Sequence, residues 1–195
     1  MKKCRSRFRE WLRATCLGWG LGLLLTVGAS LVADTVGVGG SQTLLGLAMG
    51  TGVGLLQSKA MRGTLSEPRA WLAATVVGLA APFLVFDVVR GVGLALPYSL
   101  YLCVVLGGLG AGGLQARLLR PVVANAWLWV PASVLGWGLA ASTAAVADRL
   151  PRALAWHGLA GAGVYLGLVL GGGLILGALT GLPLARLPLP RSGQP

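Results

Sequence analysis

Six long apolar segments run along the chain, separated by short polar or basic stretches. They cover roughly residues 11–32, 43–58, 71–89, 96–116, 126–147 and 158–182. A helix that crosses a hydrocarbon core about 30 Å thick needs about 20 residues. The pattern therefore predicts an all-α integral membrane protein with six transmembrane helices. The second segment is the shortest, and we expect Lys59 and Arg62 to extend their side chains to the interface there.

The even-numbered segments share a sequence pattern. The stretch GTGVGLLQSKAMR, which begins at Gly50, matches GLGAGGLQARLLR, which begins at Gly108, at six identical positions and an offset of 58 residues. The identical positions include Gln57 and Gln115. A weaker copy, GLILGALTGLPLAR, places Thr180 where the other two copies have glutamine.

The odd-numbered segments repeat as well. The pattern W-x-x-A-[ST]-x-x-G-[WL] begins at Trp11, Trp71 and Trp129, at offsets of 60 and 58 residues. Self-similarity at a fixed period indicates a repeated structural unit, here a two-helix hairpin used three times in tandem. We therefore predict a basic cytoplasmic N-terminus (1–10), three hairpin repeats (11–62, 71–120 and 126–186) and a mobile, proline-rich tail (187–195).

Glycines recur four residues apart on several predicted helices. Such small-xxx-small stripes let helix backbones approach closely in a membrane, where no hydrophobic force drives helices together. Gly163, Gly167 and Gly171 have the same spacing and predict a further stripe. The predicted helix-packing positions are Gly18, Gly22, Gly46, Gly50, Gly54, Gly78, Gly108, Gly112, Gly136, Gly173 and Gly177.

Charge adds an orientation. The chain is 55% hydrophobic and 11% charged, with a net charge of +11. The cations lie between apolar runs rather than on one soluble face, which argues against nucleic-acid binding. Of the 16 Lys and Arg residues, all but Arg90, Arg149 and Arg152 flank the N-terminus, the C-terminus or the loops on the same side as the termini. The positive-inside rule then predicts a bacterial inner (plasma) or thylakoid membrane protein with both termini cytoplasmic.

Few residues suggest chemistry. No Ser/His/Asp or Cys/His set with supporting residues is present. Three cysteines without C-x-x-C spacing do not support a zinc site, and one histidine cannot build a multi-ligand metal centre. We therefore predict no catalytic residue, no metal site and no enzyme activity. Asp34, Asp87 and Asp148 each end an odd segment, where we expect interfacial anchoring.

Three residues are candidates for binding a cofactor. Gln57 and Gln115 lie about one turn inside a basic helix end, where hydrogen bonding between helices is the favoured interpretation. The alternative is that they are polar ligands to a pigment, an ion or a solute. His157 begins the sixth segment beside Trp156, and an interfacial position is favoured over axial ligation of a chlorophyll or haem. Chlorophyll and carotenoid are the candidate cofactors.

The W-x-x-A-[ST]-x-x-G-[WL] and G-x-x-x-G-x-x-Q patterns resemble those of a loose group of uncharacterised bacterial polytopic membrane proteins, chiefly from cyanobacteria and other phototrophs. The resemblance covers most of residues 11–186 and implies a membrane fold of repeated hairpins, with no known activity. Three hairpins in six helices also resemble the mitochondrial carrier architecture. The P-x-[DE]-x-x-[KR] signature of that family is missing, so its transport function is not carried over.

Two functions are consistent with this pattern. The first is a non-enzymatic accessory or scaffold subunit that packs against partner helices, lipid or pigment in a larger membrane complex, a photosynthetic complex among the candidates. Its partners would be membrane lipids and other membrane protein subunits. The alternative is a small transporter or channel for an ion or small solute, because repeats and glycine-interrupted helices are common in transporters.

Overall fold

A computed structural model describes residues 2–37, 40–94, 99–153 and 158–185. These residues form six α-helices and one short 3-10 turn, Ala126–Leu128, directly before the fifth helix. The helices are α1 (Lys2–Thr35), α2 (Thr43–Ala60), α3 (Pro68–Gly91), α4 (Ser99–Leu119), α5 (Trp129–Ala153) and α6 (Gly158–Ala185).

Five segments are long and apolar enough to cross a membrane: Arg7–Thr35, Pro68–Gly91, Ser99–Leu119, Ala126–Leu150 and Gly158–Leu184. The prediction of a helical chain with several membrane-compatible helices is confirmed. Helix α2 is not among the five. It has 18 residues, and Gln57, Ser58 and Lys59 occupy its last turn and lower its mean hydropathy.

Helix α1 begins earlier than the hydrophobic pattern indicated. It includes almost all of the basic segment 1–10 and is 34 residues long. No proline or glycine interrupts residues 2–10, and lysine, arginine and glutamate are good helix formers. The helix therefore extends beyond the apolar segment, and the charged residues of the N-terminal segment belong to it.

The six helices form a closed ring. Each helix packs against its neighbours in the chain, and α6 packs against α1. Residues four apart lie on one face of a helix, and in the odd-numbered helices one such row faces the centre of the ring. The three rows are Trp11, Thr15, Trp19 and Leu23 in α1; Trp71, Thr75, Leu79 and Phe83 in α3; and Trp129, Ser133, Trp137 and Ala141 in α5.

The predicted packing glycines lie where helices touch. A Cβ atom built on Gly54 of α2 would lie 2.9 Å from the Thr75 Cβ of α3, and one on Gly112 of α4 would lie 2.7 Å from the Ser133 Cβ of α5. The α6–α1 contact closes the ring in the same way, since a Cβ on Gly177 would lie 3.2 Å from the Thr15 Cβ. A neighbouring helix is equally close at each of the other predicted packing positions: Gly18, Gly22, Gly46, Gly50, Gly78, Gly108, Gly136 and Gly173.

The stripe formed by Gly163, Gly167 and Gly171 behaves differently. A Cβ atom on any of the three would meet nothing within 4 Å. The spacing rule identifies small faces but does not say which way they point. This stripe lies on the outside of the ring and packs against no other helix of the described chain.

The candidate site on the ring axis

Three tryptophans meet at one end of the ring axis. The ring centroids of Trp11 and Trp71 are 5.8 Å apart, those of Trp11 and Trp129 5.5 Å, and those of Trp71 and Trp129 5.3 Å. Their planes are inclined by 71–89°, the edge-to-face geometry that the aromatic quadrupole favours. All three side chains are at most 2% exposed. We call them the indole cluster, and this end of the ring the indole end.

One helical turn further along the axis, a glutamine joins two hairpins. The Gln57 Nε2 atom donates to Thr15 Oγ1 at 3.1 Å within the first hairpin. Its Oε1 atom accepts from the Nε1 atom of Trp71, in the second hairpin, at 3.2 Å. The side chain of Gln57 is 3% exposed. A buried amide is thus bonded through both its nitrogen and its oxygen to protein groups.

Gln115 makes the same two bonds one hairpin later. Its Nε2 atom donates to Thr75 Oγ1 at 2.8 Å, and its Oε1 atom accepts from Trp129 Nε1 at 2.7 Å. Thr75 Oγ1 also donates to the Trp71 carbonyl at 2.8 Å, as serine and threonine commonly do in helices. The matched sequence positions therefore make matched contacts.

The third position departs from this arrangement. Thr180 accepts from Trp11 Nε1 at 3.0 Å and donates to the Leu176 carbonyl at 2.6 Å. It carries no amide, so nothing donates to Ser133, whose Oγ atom is buried without a hydrogen-bond partner. We call the six residues Gln57, Gln115, Thr180, Thr15, Thr75 and Ser133 the polar belt.

Above the polar belt, an apolar layer leads to a cavity. Trp19 and Trp137 pack with ring centroids 5.7 Å apart, and Trp19 Nε1 donates to the Val169 carbonyl at 2.9 Å. The next turn borders a cavity of about 130 Å³, which we call the axial cavity. Leu23 and Phe83 line it from α1 and α3, and Ala141 from α5.

Asp87 stands at the far end of the ring, opposite the indole end. Its carboxylate accepts hydrogen bonds from Ser41 Oγ at 2.7 Å, from Thr43 Oγ1 at 2.7 Å, and from the backbone N–H groups of Gln42 and Thr43 at 3.0 and 2.8 Å. The first turn of α2 has no side-chain cap of its own, so an aspartate from α3 caps it. Because 44 residues separate Asp87 from Thr43, no local motif reveals this contact.

Of the three predicted cofactor ligands, the structure describes Gln57 and Gln115, and both belong to the polar belt. His157 lies outside the described residues. Gln57 and Gln115 are both bonded to tryptophan and threonine, and neither lines the axial cavity. Binding of chlorophyll or carotenoid by these residues stays a prediction. Within the described residues, no group of three or more His, Cys, Asp or Glu side chains could hold a metal ion.

Sequence comparison missed two features of this site. The first is Ser133. It matches the serine or threonine position of the W-x-x-A-[ST]-x-x-G-[WL] pattern, but its hydroxyl has no hydrogen-bond partner. The sequence held a signal for this: Thr180 replaces the glutamine of the other two copies, while Ser133 keeps the hydroxyl to which such a glutamine would donate. The second is the axial cavity, which follows from the small side chain of Ala141 at a position where the other two hairpins have Leu23 and Phe83.

No protein-family model, no curated protein and no solved structure matches this chain.

Proposed function

We propose that this chain is a non-enzymatic scaffold subunit of a membrane assembly, built as three hairpins with six spans and with both termini cytoplasmic. The observation that carries the proposal is the sealed axis. At the indole end, three mutually packed tryptophans fill the centre of the ring. The polar groups next to them are mainly hydrogen-bonded to one another, so few hydrogen-bonding groups are free to bind a passing solute.

The six-span arrangement has support beyond composition. Helix α2 packs along both α1 and α3, which are long and apolar. Val53 in its middle is fully buried, and Lys59 at its end is exposed. A helix between two spanning neighbours is protected from lipid on those two sides. It therefore tolerates a lower mean hydropathy than a helix that faces lipid on all sides.

The exterior of the ring supports a scaffold role. Large apolar side chains are exposed on many turns, among them Leu24, Leu31, Val85 and Leu170. In water such a surface would aggregate, whereas in a bilayer it meets lipid chains or partner helices. A subunit of this kind contributes shape and apolar surface instead of chemistry.

The alternative, a transporter or channel, requires a path for a polar solute. Along the axis of the described bundle, the indole cluster, the Trp19–Trp137 layer and the axial cavity are apolar. Only the polar belt interrupts them, and an ion entering it would compete with existing hydrogen bonds. The arrangement therefore supports a scaffold in preference to a conduit.

Two measurements test this proposal. The first extracts the full chain with its surrounding lipid from its native membrane and determines the mass of the particle. We expect an assembly that contains other protein subunits, heavier than the 19.9 kDa chain with lipid alone. A particle holding only this chain and lipid would refute the scaffold role.

The second measures flux of monovalent ions and small neutral solutes through vesicles that contain the purified chain. We expect no flux above that of empty vesicles. Substrate-dependent flux that the double variant Gln57→Leu, Gln115→Leu abolishes would establish transport instead.

A further inference from the structure

We propose that the axial cavity is a binding site for the end of a membrane lipid's hydrocarbon chain, which enters from the bilayer between α4 and α5. The inference depends on the chain lying in a membrane and not on the scaffold role. Failure of one proposal therefore leaves the other standing.

The cavity exists because the third hairpin has a small residue in one layer. The row that faces the axis ends in Leu23 in α1 and in Phe83 in α3, but in Ala141 in α5. Protein interiors are normally packed to crystal-like density. A cavity of about 130 Å³ on the axis of the ring is therefore space that a bound group can fill.

The lining decides what that occupant can be. The walls are hydrocarbon, thioether and indole groups, including Met49, Leu79 and Trp137. The indole N–H of Trp19 is already bonded to a backbone carbonyl. A buried water needs about 2–4 polar partners, and a cavity of roughly 150 Å³ with such walls stays dry and takes benzene or xenon. The axial cavity thus favours an apolar group of similar size over a polar one.

The mouth of the cavity decides where that group comes from. Leu100 on α4 and Ala144 on α5 line the cavity and are also exposed at the surface of the protein, Leu100 by 51%. Both lie within segments that can cross a membrane, Ser99–Leu119 and Ala126–Leu150. The medium at this mouth is lipid, so the most abundant apolar group there is the end of a lipid chain. The cavity is too small for a complete pigment or quinone.

Indole fluorescence can detect a lipid chain inside the cavity. Trp19 and Trp137 border it and are each only 5% exposed. In a Trp127→Phe, Trp156→Phe background, the other remaining indoles are the buried indole cluster. The full chain is reconstituted in phosphatidylcholine vesicles with bromine near the ends of the acyl chains, and its fluorescence is compared with that in the same lipid without bromine.

The decisive comparison uses two substitutions on one helix. Ala141→Phe fills the cavity with the side chain that α3 already carries, whereas Ala145→Phe adds the same group at an exposed position that does not line the cavity. We expect quenching to fall at least about twofold in Ala141→Phe, because a filled core excludes the lipid chain. We expect Ala145→Phe to retain the quenching of the background protein.

The elution volume and helix content of each variant show whether it folds. Ala141→Leu fills the cavity with a smaller side chain and serves if the phenylalanine disturbs folding. It should lower quenching by an intermediate amount. Equal quenching in the Ala145→Phe protein and in a folded Ala141 variant would overturn the proposal. Stoichiometric recovery of a different apolar molecule, such as a carotenoid or a quinone, in a solvent extract of the protein would also overturn it.

Discussion

The junctions α2–α3 and α4–α5 have the same hydrogen bonds, whereas the third junction, α6–α1, lacks one of them. At the first two, an amide side chain donates to a hydroxyl within its own hairpin and accepts from an indole of the next. At the third, Thr180 meets Trp11, and Ser133 is left without a partner. The same hairpin has Ala141 beside the axial cavity.

This difference separates two contributions to the fold. The indole cluster and the glycine contacts are complete at all three junctions, so the ring closes without the third glutamine. Hydrogen bonds between membrane helices stabilise by on the order of 1 kcal/mol each, whereas burial and packing of an indole contribute several times more. Packing therefore determines the ring, and the amides reinforce it at two of its three junctions.

The largest expected effect comes from removing a member of the indole cluster. We expect Trp71→Ala to lower the free energy of unfolding by about 3–5 kcal/mol, because it leaves a large cavity and removes the hydrogen-bond donor to Gln57. Unfolding in mixed micelles, followed by helix content, measures this. Trp127→Ala is the matched control, since Trp127 is 65% exposed and should lose little. Equal losses in both variants would contradict the role of the cluster.

A somewhat smaller effect distinguishes packed glycines from open ones. Gly112→Leu would push a side chain into Ser133 of α5, and overpacking of this kind costs about 1–3 kcal/mol. Gly167→Leu meets open space and should leave the midpoint of thermal unfolding unchanged or raised. If Gly167→Leu destabilised the isolated chain as strongly as Gly112→Leu, the outward orientation of that stripe would be wrong.

The amides themselves come next. We expect Gln115→Leu to cost about 1–2 kcal/mol, because the Trp129 N–H loses its acceptor and Thr75 a donor in a buried site. Thr180→Val removes the acceptor of Trp11 and a side-chain donor to the Leu176 carbonyl within its own helix. Its side chain keeps nearly the same volume, and the substitution should cost less. The two unfolding free energies are compared in one detergent. A larger loss for Thr180→Val would reverse the ranking of the junctions.

The smallest effect should be a gain at the third junction. We expect Thr180→Gln to stabilise the chain by up to about 1 kcal/mol, because the new amide can donate to Ser133 and still accept from Trp11. The control is the same substitution in a Ser133→Ala background. Alanine has no hydroxyl to accept a hydrogen bond from the amide, so the gain should vanish. A gain that persists in that background would show that a new hydrogen bond to the Ser133 hydroxyl is not its source.

The sequence predicted much of this arrangement, and its limits have physical causes. Periodicity predicted the helices, and the offsets paired Gln57 with Gln115 and Trp71 with Trp129, residues that make matching contacts in the structure. The sequence did not predict that the helices close into a ring with α6 against α1, since that contact joins residues far apart in the chain, such as Thr15 and Gly177.

The direction of a small face is also beyond a spacing rule. Gly173 and Gly177 of α6 pack against α1, while Gly163 and Gly167 of the same helix meet open space. Both pairs have the same four-residue spacing. The cavity beside Ala141 could not be predicted for a related reason, because its volume depends on which side chains from the five other helices surround it.

Hydrogen exchange at the indole N–H groups tests the sealed axis most directly. The chain is labelled with ¹⁵N at tryptophan, placed in lipid nanodiscs and transferred to D₂O, and the indole resonances are assigned by single Trp→Phe variants. We predict slow exchange for Trp11, Trp71 and Trp129, whose N–H groups are bonded within the polar belt, and fast exchange for the exposed Trp127. Exchange of the three cluster indoles as fast as that of Trp127 would place water on the axis and contradict the account.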